Sequence, residues 1–302
     1  MGEILGSITK SNNHNLTQIE SLVSQINGQI GIAALNFEND KSIYLNENST
    51  FFMASVFKIP LLITLYKHVD LGKIDMQQRV TLSSDLKTGG SGVLRELNPG
   101  IEPTLYDLAM LMIIISDNTA TDILYNMIGK DNINSFMKEN NLLKTVTPMS
   151  CDNLLSSLSG IEPPKKADYQ DLARIIDGNY IPPVDCSALD ENKSNVSTPF
   201  EMVELLKMLT VGNILSKSST NEVLSILKSQ KLKSIIPHYI PKDIQIAHKT
   251  GGVYSVRCDV GTVWGPKGAY AVAIMGKDIT DEPDIDNKLA KISLSIFEYM
   301  TS

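Results

Sequence analysis

Apolar positions near the start of the chain recur at helical spacing. Ile19, Leu22, Val23 and Ile26 fall on one face of a helix over Leu16–Ile26. After Asn27-Gly28 the pattern shortens. Gln29–Leu35 and Lys41–Leu45 are apolar, β-branched runs on either side of the polar turn Glu38-Asn39-Asp40-Lys41, which predicts a hairpin. From Ser55 to about Val69 the spacing is helical again, with Pro60 in the first turns, where its missing N–H costs little. Thr104–Ile128 predicts two helices meeting near Ser116-Asp117-Asn118. A further helix runs from Thr198-Pro199 to Leu209, with a Thr N-cap, Pro at its first position and Glu201 in its first turn. Another covers Ser219–Lys228. The chain then turns to strands over Ile244–Lys249, Arg257–Trp264 and Ala269–Gly276, separated by Gly and Pro, and closes on an amphipathic helix over Ile285–Met300.

Strands thus lie at both ends of the chain and helices in its middle. The simplest packing brings the two ends into one α/β layer pair with the middle as an inserted helical unit, and a cleft between them. No internal repeat and no low-complexity linker interrupts this order.

Composition narrows the picture. A hydrophobic fraction of 42% and a charged fraction of 20% over 302 residues belong to a well-cored protein, not a disordered or fibrous one. A formal charge of −7 without a dense Lys/Arg block argues against nucleic acid as a partner. Cys151, Cys186 and Cys258 lack metal-ligand spacing, and the four His residues form no HExxH pair, so neither metal nor cofactor is expected. No Gly-rich phosphate loop is present. No run approaches the ~20 apolar residues of a membrane span. The first residues lack a basic region followed by an apolar one, so the chain as sequenced is expected in the cytoplasm unless a leader has been removed.

Three short motifs carry chemistry. In Ser55-Val56-Phe57-Lys58, positions i and i+3 of a helix put the hydroxyl and the amine on one face. A serine becomes a nucleophile when a neighbouring base takes its proton, and a lysine can be that base when burial lowers its pKa. Phe51-Phe52-Met53-Ala54 before it and Ile59-Pro60-Leu61-Leu62 after it would supply the apolar jacket. Ser116-Asp117-Asn118 abruptly closes the apolar run Leu108–Ile115. It reads either as a helix cap or as a site in which Ser116 relays a proton, Asn118 contacts substrate or lysine, and Asp117 ties the loop. Lys249-Thr250-Gly251 follows a strand, with Gly251-Gly252 allowing close backbone approach; the alternative is a tight bend with a solvated lysine.

Taken together and in this order, the three motifs resemble those of class A β-lactamases and penicillin-binding proteins. Ser55–Leu61 is similar to that family's nucleophile helix, Ser116–Leu124 to its loop and following helix, Ser197-Thr198-Pro199 to the start of a later helix, and Lys249–Trp264 to its closing strand pair. The resemblance implies a β-lactamase-like α/β (α+β) fold. An antiparallel sheet with terminal helices would use residues 1–50 and 231–302, and a helical subdomain 51–230. It implies an acyl-enzyme on Ser55, with Lys58 as base or relay and Ser116 as donor to the leaving group. Asn118, Lys249 and Thr250 would bind substrate, the last two through its carboxylate, and the N–H groups of Ser55 and Gly252 would form the oxyanion hole. Arg257 is a further candidate for the carboxylate, or else a solvated strand-edge residue.

One departure stands out. The family's Glu-x-x-Leu-Asn, whose glutamate activates the deacylating water, is missing between Ser116 and Thr198. The nearest analogue is Asp152-Asn153-Leu154-Leu155-Ser156, with Asp152 favoured as a helix cap. The segment 144–195 is enlarged, with a helical stretch around Tyr169–Ile176 and then Pro182-Pro183, and is expected to border the cleft. The expected partner is a small molecule or peptide bearing a carboxylate: a β-lactam, a peptidoglycan-like peptide, or another amide or ester. A true class A β-lactamase with a substituted deacylating base is one alternative. A non-catalytic sensor that binds penicillin or a cell-wall ligand is another. Oligomeric state stays open.

Overall fold

The short apolar runs pair as strands. In a computed structural model that describes residues 14–302 apart from 40, 163–164, 166, 168–171, 173–179, 213 and 281, β1 (Gln29–Asn36) and β2 (Ser42–Leu45) form the expected hairpin. Asn36 fixes its turn, accepting the N–H groups of Glu38 and Asn39 on Oδ1 at 2.9 and 3.2 Å. A minimal ladder joins β3 (Phe51–Phe52) to β4 (Val196–Ser197). The chain ends through β5 (Gln245–Val253), β6 (Val256–Gly265) and β7 (Gly268–Lys277). The main sheet has the order β2-β1-β7-β6-β5 and is antiparallel throughout.

The helices are α1 (His14–Val23), α2 (Lys58–Asp70), α3 (Leu105–Ile114), α4 (Asn118–Ile128), α5 (Lys130–Glu139), α6 (Cys151–Leu158), α7 (Pro199–Val211), α8 (Lys217–Lys228) and α9 (Ile285–Thr301). Alternation along each strand divides the apolar side chains between two cores. Ala33, Val260, Ala271, Ala273 and Met275 face the helices α2–α5, α7 and α8. Ile32, Ala34, Val263, Val272 and Ile274 face α1 and α9. A third, smaller core gathers Met149, Leu154, Leu155, Leu158, Leu172, Cys186 and Ala188 around α6.

Two local readings change. The helix expected from Ser55 begins instead as a 3₁₀ turn, Ala54–Phe57, and becomes α-helical at Lys58. The cause is the tight exit from β3: Ala54 takes a left-handed φ of 43°, and Val56 N–H bonds back to Met53 O at 2.9 Å. The strand expected to end at Lys249 continues to Val253, because Gly251 and Gly252 pair with Cys258 and Arg257 across the β5–β6 ladder. The helical stretch expected around Tyr169–Ile176 lies, apart from Leu172, outside the described residues.

The enlarged segment is tied down at both ends. Asn195 exchanges side-chain bonds with the backbone of Met149, 2.9 Å from its N–H and 2.8 Å from its carbonyl oxygen. Glu201, in the first turn of α7, accepts from Thr145 Oγ1 at 2.6 Å and from Lys144 N–H at 2.9 Å. Among the described residues no helix is long and apolar enough to cross a membrane.

Candidate active site

Ser55 sits on the 3₁₀ turn between β3 and α2, and its position depends on β5. Gly251 presses against this turn so closely that a Cβ there would lie 2.6 Å from Met53 O and 3.1 Å from the nitrogens of Ser55 and Val56. Only glycine lets the strand support the nucleophile at this distance. Ser55 opens onto a cavity of about 590 Å3 that Ser116, Thr250, Gly252 and Arg257 also line.

Lys58, one turn further, is fully buried. Its Nζ lies 2.8 Å from Ser116 O, 3.0 Å from Ser116 Oγ and 2.9 Å from Asn118 Oδ1. Burial lowers its pKa, although the carboxylates of Asp122 and Asp117 pull the other way. Lys58 donates to all three of these oxygens. Lys58 is thereby linked directly to Ser116 rather than to Ser55, the contact that the i, i+3 spacing had led us to expect.

Ser116 itself is held in a strained conformation, at φ 59° between α3 and α4. The loop that carries it is anchored by Asp117, as the sequence suggested. Its carboxylate accepts Val93 N–H at 2.6 Å and Leu94 N–H at 2.9 Å, and caps α4 through Ala120 N–H at 2.9 Å. Asn118 donates its amide to Gly89 O at 3.0 Å, which fixes Oδ1 toward Lys58. Ser91, which lies in none of the three motifs, donates to Ser116 O at 2.9 Å and lines the cavity.

Lys249 is also fully buried, its Nζ 2.7 Å from Thr250 O. Burial and then the nearby Lys58 push its pKa well down. It stands behind the wall of the cavity, so the groups that face a ligand here are Thr250 and Arg257. Arg257 pairs opposite Gly252, donates Nη1 to Val256 O at 2.7 Å and to Tyr254 O at 3.1 Å, and has its Nε 3.7 Å from Asp286 at the start of α9.

A smaller recess of about 150 Å3 adjoins Ser55, with Asn118 and Gly252 on one side and Cys151, Leu154 and Leu155 of α6 on the other. This is the correction that matters most. Asp152 is neither the cap of α6 nor part of this recess: Ser150 caps the helix, accepting Asn153 N–H at 3.1 Å. The helix phase turns Cys151 into the recess that Ser55 also lines. Burial pushes its thiol up, far from a thiolate. The helix start is held by Asp122, which accepts Cys151 N–H at 2.7 Å and Asp152 N–H at 2.9 Å. Among the described residues no group of three or more His, Cys, Asp or Glu could hold a metal ion.

A half-buried serine that opens onto a cavity beside a buried lysine, a second serine on that lysine, and glycine-lined strand backbone form an arrangement suited to acyl transfer. The known proteins that this chain is similar to fit that chemistry. β-Lactamase VEB-1 of Pseudomonas aeruginosa is 24% identical over 294 residues, covering 91% of this chain and 86% of its own. The crystal structure of a β-lactamase from Sphaerobacter thermophilus superposes with a TM-score of 0.77 at 25% identity, over 95% of this chain and 96% of that one. A PBP-A variant, captured as an acyl-enzyme complex with penicillin G, does so with a TM-score of 0.76 at 26% identity, over 94% and 95%. The model of the β-lactamase enzyme family matches residues 16–300, and the chain belongs to that family: it is a serine hydrolase of the β-lactamase type.

Proposed function

We propose that this protein forms an acyl-enzyme on Ser55 with a carboxylate-bearing amide or ester, a peptidoglycan-like peptide or a β-lactam, and releases the acyl group to water slowly. Lys58, linked to Ser116, takes the proton from Ser55 and passes it through the Ser116 hydroxyl to the leaving nitrogen or oxygen. Thr250 and Arg257 receive the carboxylate, with Lys249 holding the Thr250 backbone from behind. The N–H groups of Ser55 and Gly252 hold the developing oxyanion.

The observation that carries the slow-release reading is the α6 wall. Cys151, Leu154 and Leu155 line the recess beside Ser55, and none of them can act as a carboxylate base. A PBP-A variant trapped with penicillin G shows that a protein of this architecture can be acylated by a β-lactam.

The test is intact mass spectrometry of the full chain with penicillin G, alongside Ser55→Ala and Cys151→Glu. A persistent adduct on the unaltered protein, missing from Ser55→Ala and shorter-lived in Cys151→Glu, is the expected result. Rapid loss of the adduct from the unaltered protein would identify a true β-lactamase with another base. An adduct on Ser55→Ala would remove Ser55 from the nucleophile's place.

A further inference from the structure

We propose that the cavity at the other end of β5 is a second ligand site, built for a small phosphate-bearing oxyanion. This cavity, about 710 Å3, opens among the end of α8, the segment 229–243 and the first half of β5. Its lining includes Lys228, Lys233, His238, Lys242 and His248 and no carboxylate. That is unusual for this chain. The protein carries a formal charge of −7, yet the stretch from Lys228 to Lys242 has four lysines and neither Asp nor Glu. Asp243, the next residue, is exposed and does not line the cavity.

Lys228 lies over the Trp264 ring at 4.1 Å and donates to Gln245 Oε1 at 2.9 Å. Burial lowers its pKa. Among the described residues, none of Lys228, Lys233 and Lys242 is paired with a carboxylate. His248 is 2% exposed and forms part of the lining. Its Nδ1 is 2.8 Å from Asp259, whose other oxygen accepts Ile236 N–H at 2.9 Å. That leaves Nε2 as the ring nitrogen available to a ligand. Three lysines at the rim of the pocket suit a compact, highly charged group better than a planar carboxylate, which is the partner an arginine fork would match.

The placement ties this cavity to the catalytic one. His248 immediately precedes Lys249, and Thr250, two residues on, lines the Ser55 cavity. Both pockets therefore share the edge strand of the sheet.

The test is isothermal titration of the full chain with inorganic pyrophosphate at low ionic strength. One saturable site is expected, weakened by about tenfold or more in Lys233→Gln/Lys242→Gln and by added salt. Lys267→Gln/Lys291→Gln, a control in exposed lysines outside the cavity, should keep the unaltered affinity. The proposal is overturned if the unaltered chain shows no saturable binding, or if both double variants weaken it equally. Citrate binding as tightly as pyrophosphate would overturn the assignment to phosphate.

Discussion

At the scale of single residues, the site is governed by the two buried lysines. Among the described residues, Lys58 and Lys249 have no carboxylate within bonding distance; their partners are neutral oxygens of Ser116, Asn118 and Thr250. Burial is the leading cause of the downward shift in both. Protonating Lys58 would place a charge in the buried interior and remove the lone pair that is to take the Ser55 proton. The sign follows. A group whose folded pKa lies below its ordinary value is neutral above that lowered pKa and charges as pH falls through it. Acylation should therefore fall on the acid side and reach its plateau below the ordinary lysine value of 10.5. The rate of adduct formation with penicillin G, measured from pH 5 to 10 at fixed ionic strength, checks this. Lys58→Arg, which stays protonated at every pH, should lose about 10²–10⁴-fold in that rate. A flat profile with an active Lys58→Arg would remove Lys58 from its role as base.

At the scale of elements, the motifs were legible because each occupies a short stretch whose geometry is local. Ser116-Asp117-Asn118 needs only one loop and one helix start, and Asp117 does in the structure what its position in the sequence implied. What could not be read was set by helix phase and strand packing. A search for a carboxylate finds Asp152, but only the observed start of α6 shows that Cys151 faces the recess beside Ser55 instead. Gly251 and Gly252 looked like a strand end. Their β pairing to β6, and the contact of Gly251 with the Ser55 turn, arise from elements far apart in the chain. That contact is testable. In Gly251→Ala the new Cβ must push back the Ser55 turn, an overpacking cost of about 1–3 kcal/mol. It should also displace the Ser55 N–H from the oxyanion, worth about 10²–10³-fold in acylation rate. In Gly252→Ala the new Cβ meets Arg257 Cδ at 3.4 Å, an ordinary contact, so thermal stability should change little. If Gly251→Ala melts and acylates as the unaltered protein does, the strand does not position the nucleophile.

At the scale of the whole molecule, the sheet is covered on both faces while Leu154 and Leu155 of the site's wall belong to a separate, smaller core. Helices α2 and α4 carry Lys58 and Asn118 within the large core, so the acylating groups share its stability. The later turns of α6 do not. The helix is pinned at its start by Asp122, by Asn195 through Met149 and by Cys151 in the large core, and beyond that Leu154, Leu155 and Leu158 rest on the small cluster, with Ser157 bonded to Glu162 and Ala188. Opening of that cluster would admit water to the acyl-enzyme without unfolding the rest. Leu158 is 1% exposed, and Leu158→Ala should cost about 2–5 kcal/mol, confined to this core. Native-state hydrogen exchange should then show the amides of Leu154–Leu158 opening about 10²–10³-fold more often, with those of β6 and β7 unchanged. The lifetime of the penicillin adduct should shorten in the same variant. Leu206→Ala, in the large core, should instead raise exchange throughout the sheet and lower the melting temperature. Equal acceleration of α6 and the sheet in Leu158→Ala would mean that the two cores unfold as one, and that the wall cannot admit water by itself.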